Sequence, residues 1–110
     1  MASQLAEKKC KACKGGEEPL KGESLRKLQE QLDEGWDVVD EHELHKTYTF
    51  QDFRQALAFA NMVGDIAEEQ EHHPELTVTY GKAEIKVWTH KIDGLTESDF
   101  IFAAKVDTLV

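Results

Sequence analysis

The sequence predicts an α+β fold, with three helices covering one face of a four-stranded antiparallel sheet in the order α-β-β-α-β-β-α. Three observations carry that reading. The run DFRQALAFANMVGDIAEEQ (52–70) repeats apolar residues at three- and four-residue spacings, as a long helix does. Two pairs of alternating segments flank it, one before and one after, each joined by a short polar link. The closing run LTESDFIFAAKV (95–106) opens on helix-start signals.

The elements follow in order. Residues 1–20 read as a flexible N-terminal tail ending near Pro19, and 21–110 as a single domain. In SLRKLQEQLDEG, Leu25, Leu28 and Leu32 make one helical stripe, with Ser24 as N-cap and Gly35 as the stop. WDVVD and ELHKTYTF then form a hairpin across the acidic link DEHE. Leu44, Tyr48 and Phe50 share one face, interrupted by Lys46, while His45, Thr47 and Thr49 take the other. On the long helix, Phe53, Ala56, Leu57, Ala60, Val63 and Ala67 form one stripe. Phe59, Met62 and Ile66 form a second beside it. An apolar arc this wide is expected to be covered twice, by the sheet and by another helix or subunit. Pro74 ends the helix, because residues before proline avoid the helical region. ELTVTY and AEIKVWTH form the second hairpin around Gly81-Lys82. Ile85 and Val87 take the buried face, and Trp88 and His90 the opposite one. In the last helix Thr96 and Asp99 have capping-box spacing, and Leu95 and Phe100 that of a hydrophobic staple.

Composition excludes several function classes. With 40% apolar and 32% charged residues the 110-residue chain is globular in type. No run approaches the ~20 apolar residues of a membrane span. The lysine-bearing N-terminus lacks the apolar core of a secretory signal, so a cytoplasmic location is expected. A net charge of −9 argues against direct nucleic-acid binding, which needs a basic face. Cys10 and Cys13 form a lone CxxC. It has half the ligands of a zinc site and no preceding strand of the thioredoxin kind, so it reads as a reduced pair in the tail.

Of the five histidines, His42 and His45 read as surface residues. His72 and His73, stopped by Pro74, stand where the backbone must turn. The second hairpin enters at these residues and leaves at Trp88-Thr89-His90, so its geometry brings three imidazoles toward one spot. Imidazole titrates near neutrality, and a positioned group of them holds donors and acceptors at one pH. Glu68 lies one turn before His72 and is placed to orient it. Glu71 and Glu75 flank the pair and favour its charged form. Two other readings stay open: polar residues suited to a helix C-terminus, and a three-histidine metal site. The histidine spacings known from zinc sites are absent.

These residues resemble a known family. Glu68, His72-His73-Pro74, Tyr80, His90 and Asp99 are similar to the signature of the pterin-4a-carbinolamine dehydratases, also called 4a-hydroxytetrahydrobiopterin dehydratases. Gly35-Trp36, Phe50-x-x-Phe53 and Gly94-Leu95-Thr96 extend the resemblance to roughly residues 20–107. The resemblance implies the fold order above and a homodimer or homotetramer. It implies elimination of water from a 4a-hydroxytetrahydropterin to quinonoid dihydropterin, in recycling the cofactor of aromatic amino acid hydroxylases. No cofactor and no metal are implied. It carries catalysis onto His72, His73 and His90. His72 and His90 are expected to transfer protons, and His73 to polarise the 4a-hydroxyl. Glu68, Trp36 and Trp88 are expected to bind substrate, the tryptophans as flat walls, with Trp36 open to a core role instead. Pro74 and Asp99 are expected to be structural. Two further functions stay open. One is a role as dimerisation cofactor of a transcription factor, and the other a pterin-binding accessory role.

Overall fold

Alternate side chains on two hairpins, all pointing to one side, decide where the helices lie. A computed structural model describes residues 4–11, 15–16 and 18–110. Its helices are α1 (Glu23–Gln29), α2 (Phe53–Gln70) and α3 (Glu97–Asp107), and its strands β1 (Asp37–Val39), β2 (Glu43–Thr49), β3 (Glu75–Thr79) and β4 (Lys82–Val87). The strand order is β1-β2-β4-β3, antiparallel throughout. Leu44 and Tyr48 on β2 and Ala83, Ile85 and Val87 on β4 are buried under the helices, while Thr47, Thr49, Lys82 and Lys86 are exposed on the far side. The α+β fold, with its element order and single layer of helices, is the one the sequence predicts.

Local chemistry sets the element ends, with some shifts from the sequence reading. Asp52 caps α2, its Oδ1 accepting from the Gln55 N–H at 2.8 Å. The first helix is capped at Gly22 rather than Ser24, and it ends at Gln29, well before Gly35. Asp40 and Glu41 both adopt left-handed backbone (φ 54° and 52°), closing the β1–β2 link with a bond from the His42 N–H to the Val39 carbonyl. The β3–β4 turn consists of Tyr80 and Gly81, one residue earlier than read, since Thr79 pairs with Lys82. Gly81 takes φ 73°, a conformation that suits glycine.

The expectation of a free N-terminal tail fails for residues 4–11. Gln4–Glu7 form a 3₁₀ turn, and Leu5 is buried in the core. The reason lies in α3, which is apolar nearly all round: Phe100, Ile101, Phe102, Ala103 and Val106 are all buried. A helix of that kind needs cover on more than one side, and the N-terminal segment supplies it. The Lys105 ammonium donates to the Ala6 carbonyl at 2.8 Å. Cys13 lies outside the described residues. Cys10 is half-buried, and burial pushes its thiol up to about 11, so it stays protonated at neutral pH.

One side of helix α2 stays uncovered within the chain. Ala56, Phe59, Ala60, Val63 and Ala67 are buried, but Phe53, Leu57 and Met62 stand exposed. The apolar arc is wider than the surface one chain offers to cover it.

At the other end of α3, buried Asp107 draws the sheet to the helix. It accepts from the Trp36 indole N–H at 2.9 Å, the Tyr48 hydroxyl at 2.5 Å and the Lys46 ammonium at 2.9 Å. Lys46, the break in the β2 pattern, thus points inward to a partner, its ammonium above the Trp36 and Tyr48 rings. Burial first, then the Asp107 bond, raises the Tyr48 pKa well above its ordinary value. Replacing Asp107 by Ala strands three donors, one of them charged. Urea unfolding is expected to show a loss of about 3–5 kcal/mol, against about 1–3 for Asp107→Asn.

Candidate active site

The two histidines part company at the end of α2. Glu71 takes left-handed backbone (φ 53°, ψ 40°), and the His72 N–H returns to the Ala67 carbonyl at 3.1 Å. A non-glycine residue in this region costs of order 1 kcal/mol and persists where the surroundings fix it. The turn swings neighbouring side chains to opposite sides. His72 goes inward, with its side chain 12% exposed, and His73 outward at 60%.

Each imidazole then finds its own carboxylate. His72 Nε2 lies 2.5 Å from Asp99 Oδ1, and His73 Nε2 lies 2.5 Å from Glu68 Oε2. The expectation that Glu68 orients His72 is therefore corrected. Helical spacing no longer applies once Glu71 has broken the helix, so Glu68 meets the residue one further on. A carboxylate accepts, so in each ring the neutral tautomer carries its hydrogen on Nε2 and leaves Nδ1 as acceptor.

Asp99 does more than cap. It is fully buried, and besides His72 its Oδ2 accepts from the Thr96 N–H at 2.9 Å and the Thr89 hydroxyl at 2.8 Å. The capping box of α3 and the orientation of His72 share one carboxylate.

The second hairpin performs the approach expected of it. Glu75 pairs with Lys86, so Pro74 comes beside Val87 and His73 beside Trp88, one and two steps beyond the ladder. The strand stops at Val87, shorter than read. Thr89 bridges to Gly94, and His90 opens a 3₁₀ turn rather than ending the strand. The result is a cavity of about 320 Å³ lined by His72, His73, His90, Trp88, Thr89, Glu71, Lys11 and Lys91. That volume is at the small end of ligand pockets and suits a compact heterocycle. Trp88 packs against His90 and His42 with tilted rings, their centroids 4.5 Å and 5.2 Å away. His42 is bonded to Asp93 at 2.7 Å and backs this wall. The hydrogen bond that His42 donates to Asp93 raises the His42 pKa above its usual value.

Of the residues named from sequence, the cavity gathers His72, His73, His90 and Trp88. Glu68 stands behind His73, Asp99 behind His72, and Pro74 at the start of β3. Trp36 is not among the lining residues. It is 3% exposed, bonded to Asp107 in the core, and its reading as a substrate wall is corrected in favour of its core alternative. Sequence reasoning missed Lys11 and Lys91, and named Thr89 only as part of the hairpin exit. Lys91 follows His90 directly, whereas nothing local marks Lys11.

A family model described as pterin 4 alpha carbinolamine dehydratase matches residues 18–109. A relative from Rubrobacter xylanophilus is 63% identical over 107 residues, covering 97% of this chain and 99% of its own. One from Alkaliphilus metalliredigens is 46% identical over 105 residues, covering 96% and 95%. Both bear the name "Putative pterin-4-alpha-carbinolamine dehydratase". Among solved structures, a transcriptional coactivator/pterin dehydratase from Brucella melitensis superposes with a TM-score of 0.77 at 29% identity, covering 83% of this chain and 97% of that one. A pterin dehydratase-like protein identified as a RuBisCO assembly factor in the alpha-carboxysome gives 0.58 at 25% identity, covering 70% and 94%.

The shared carboxylate makes a structural prediction. Asp99→Asn keeps an oxygen for Thr89 and Thr96 but turns an amide N–H toward His72. The ¹⁵N shifts of the His72 ring are expected to report hydrogen on Nε2 in the parent and on Nδ1 in the variant. Stability is expected to fall by about 1–2 kcal/mol. An unchanged tautomer would mean that Asp99 does not set the ring.

Proposed function

The chain belongs to the pterin-4α-carbinolamine dehydratase family, and on that premise we propose that it eliminates water from a 4a-hydroxytetrahydropterin by histidine general acid/base catalysis. The observation that carries the reading is the convergence of three imidazoles and one indole on a single small cavity.

The reaction is balanced without a redox partner. The C4a–O bond breaks as the hydroxyl takes a proton and leaves as water. The N5 proton goes to a base, and the electron pair of that bond forms N5=C4a. The ring nitrogen supplies the electronic push, so what remains is two proton transfers near neutral pH, work that imidazole suits. His72, held by Asp99 with Nδ1 as acceptor, and His90, open at the cavity rim, take the proton-transfer roles. His73, held by Glu68, binds and polarises the 4a-hydroxyl. Trp88 offers the flat face for the bicycle. No cofactor and no metal enter this scheme. Among the described residues no three His, Cys, Asp or Glu side chains form a ligand-like group. The product is the quinonoid dihydropterin of cofactor recycling for aromatic amino acid hydroxylases, in the cytoplasm. Among the described residues no helix is long and apolar enough to cross a membrane.

Stopped-flow dehydration of freshly generated 4a-hydroxytetrahydropterin tests the proposal. The protein is expected to accelerate water loss over buffer, with no change on adding chelator. His72→Ala, His73→Ala and His90→Ala are each expected to lose about 10²-fold in kcat/KM. Full activity in both His73→Ala and His90→Ala would reject the scheme, and loss with chelator would reject its metal-free form.

A second reading has its own observation, the exposed Phe53, Leu57 and Met62 on α2. They suit self-association into a homodimer or homotetramer. They also suit a partner protein such as a transcription factor, in keeping with the coactivator name of the Brucella melitensis protein. Light scattering is expected to show an oligomer that Leu57→Lys shifts toward monomer, because a buried charge at such a contact costs several kcal/mol. A parent that is already monomeric leaves the face to a different partner.

A further inference from the structure

The pocket borrows one wall from the N-terminal segment. Lys11 lines the cavity together with residues from far down the chain. Its position is not loose. The Lys11 N–H donates to Ser98 Oγ at 2.9 Å, and the Ser98 hydroxyl bonds back to the Lys11 carbonyl at 3.2 Å. One residue earlier, the Cys10 N–H donates to Gln70 Oε1 at 2.9 Å, and its thiol approaches the Ser98 carbonyl at 3.4 Å. Buried Leu5 and the Lys105–Ala6 bond fasten the segment further back. Ser98 precedes Asp99, the carboxylate that holds His72. The backbone of Lys11 is therefore referenced to the same turn of α3 as the site itself.

The charge at this spot runs against the rest of the molecule. The chain carries a net charge of −9. Among the described residues lining the cavity, however, Lys11 and Lys91 stand with one carboxylate, Glu71, while Asp99 and Glu68 behind the lining are engaged with His72 and His73. The three imidazoles contribute no negative charge and gain positive charge on protonation. Two cations lining one cavity of an acidic protein form a local field that favours an anion. A pterin bicycle with a neutral side chain would make little use of it.

We propose that Lys11, delivered by the clamped N-terminal segment and assisted by Lys91, is a specificity-determining residue for an anionic substituent, phosphate or carboxylate, on the pterin ligand. The proposal rests on the pterin reading above and deepens it. The bicycle lies against Trp88, and the substituent reaches the lysines.

Quenching of tryptophan fluorescence by stable dihydropterins tests it. The probes are a dihydropterin with a neutral hydroxyalkyl side chain, its phosphate monoester, and a carboxylate-bearing counterpart. At about 20 mM salt the anionic ligands are expected to bind about tenfold more tightly than the neutral one, shrinking to about twofold near 0.5 M salt. The stronger of the two anionic arms identifies the group. Lys11→Gln is expected to weaken the anionic ligands about fourfold and the neutral one less than twofold, with Lys11→Arg restoring the difference. Because the Lys11 side chain is exposed and only its backbone is clamped, the variants are expected to melt with the parent. Equal affinity for neutral and anionic ligands overturns the inference, as does a Lys11→Gln loss equal for both, while leaving the pterin reading intact. Failure of all three ligands to bind overturns the pterin reading, and the inference with it.

Discussion

One buried carboxylate joins the three parts of the chain from which the cavity is built. Asp99 takes the Thr96 N–H at the start of α3, the Thr89 hydroxyl beyond β4, and the His72 ring beyond α2. A carboxylate removed from water is tolerable only when its lone pairs are satisfied. The requirement therefore works in both directions. The three donors must converge for Asp99 to be buried, and once it is buried they cannot drift apart. The tautomer of His72, the start of α3 and the exit of the second hairpin become one arrangement rather than three.

The left-handed residue at the end of α2 supplies the other half of the geometry. Without the turn at Glu71, His72 and His73 would continue along a helix and point about 100° apart at a fixed pitch. With it, one ring faces the protein and the other the solvent, yet both border one cavity. The local strain is held in place by Asp99 on one ring, Glu68 on the other, and Pro74 immediately after, which stops the helix from resuming. Rigidity in the two flanking elements, an 18-residue helix and a paired strand, is what makes a strained turn a precise one.

A second polar cluster balances the first at the opposite end of α3. Asp107 gathers Trp36, Lys46 and Tyr48 from the first half of the chain as Asp99 gathers residues from the second half. The helix between them is apolar on almost every side, and its outer surface is closed by the segment around Leu5. That closure has a functional by-product. The chain that covers α3 must leave along its N-terminal turn, and in doing so it carries Lys11 to the cavity rim.

Patterns local in the chain were sufficient for the α+β class, the element order, the buried faces of β2 and β4, the capping box at Thr96 and the meeting of His72, His73 and His90. Each depends on periodicity or on the closeness of a hairpin's two ends, and both are properties of short stretches. The tertiary structure decided the pairings between stretches. Glu68 meets His73 and not His72, because the helix breaks at Glu71. Trp36 belongs to the core, because a buried acceptor 71 positions away claims its N–H. Residues 4–11 are packed, because α3 leaves an apolar face that nothing nearer in sequence can cover. Burial and buried hydrogen bonds select partners by distance in space, and a one-dimensional pattern holds no record of which distant residue will be there.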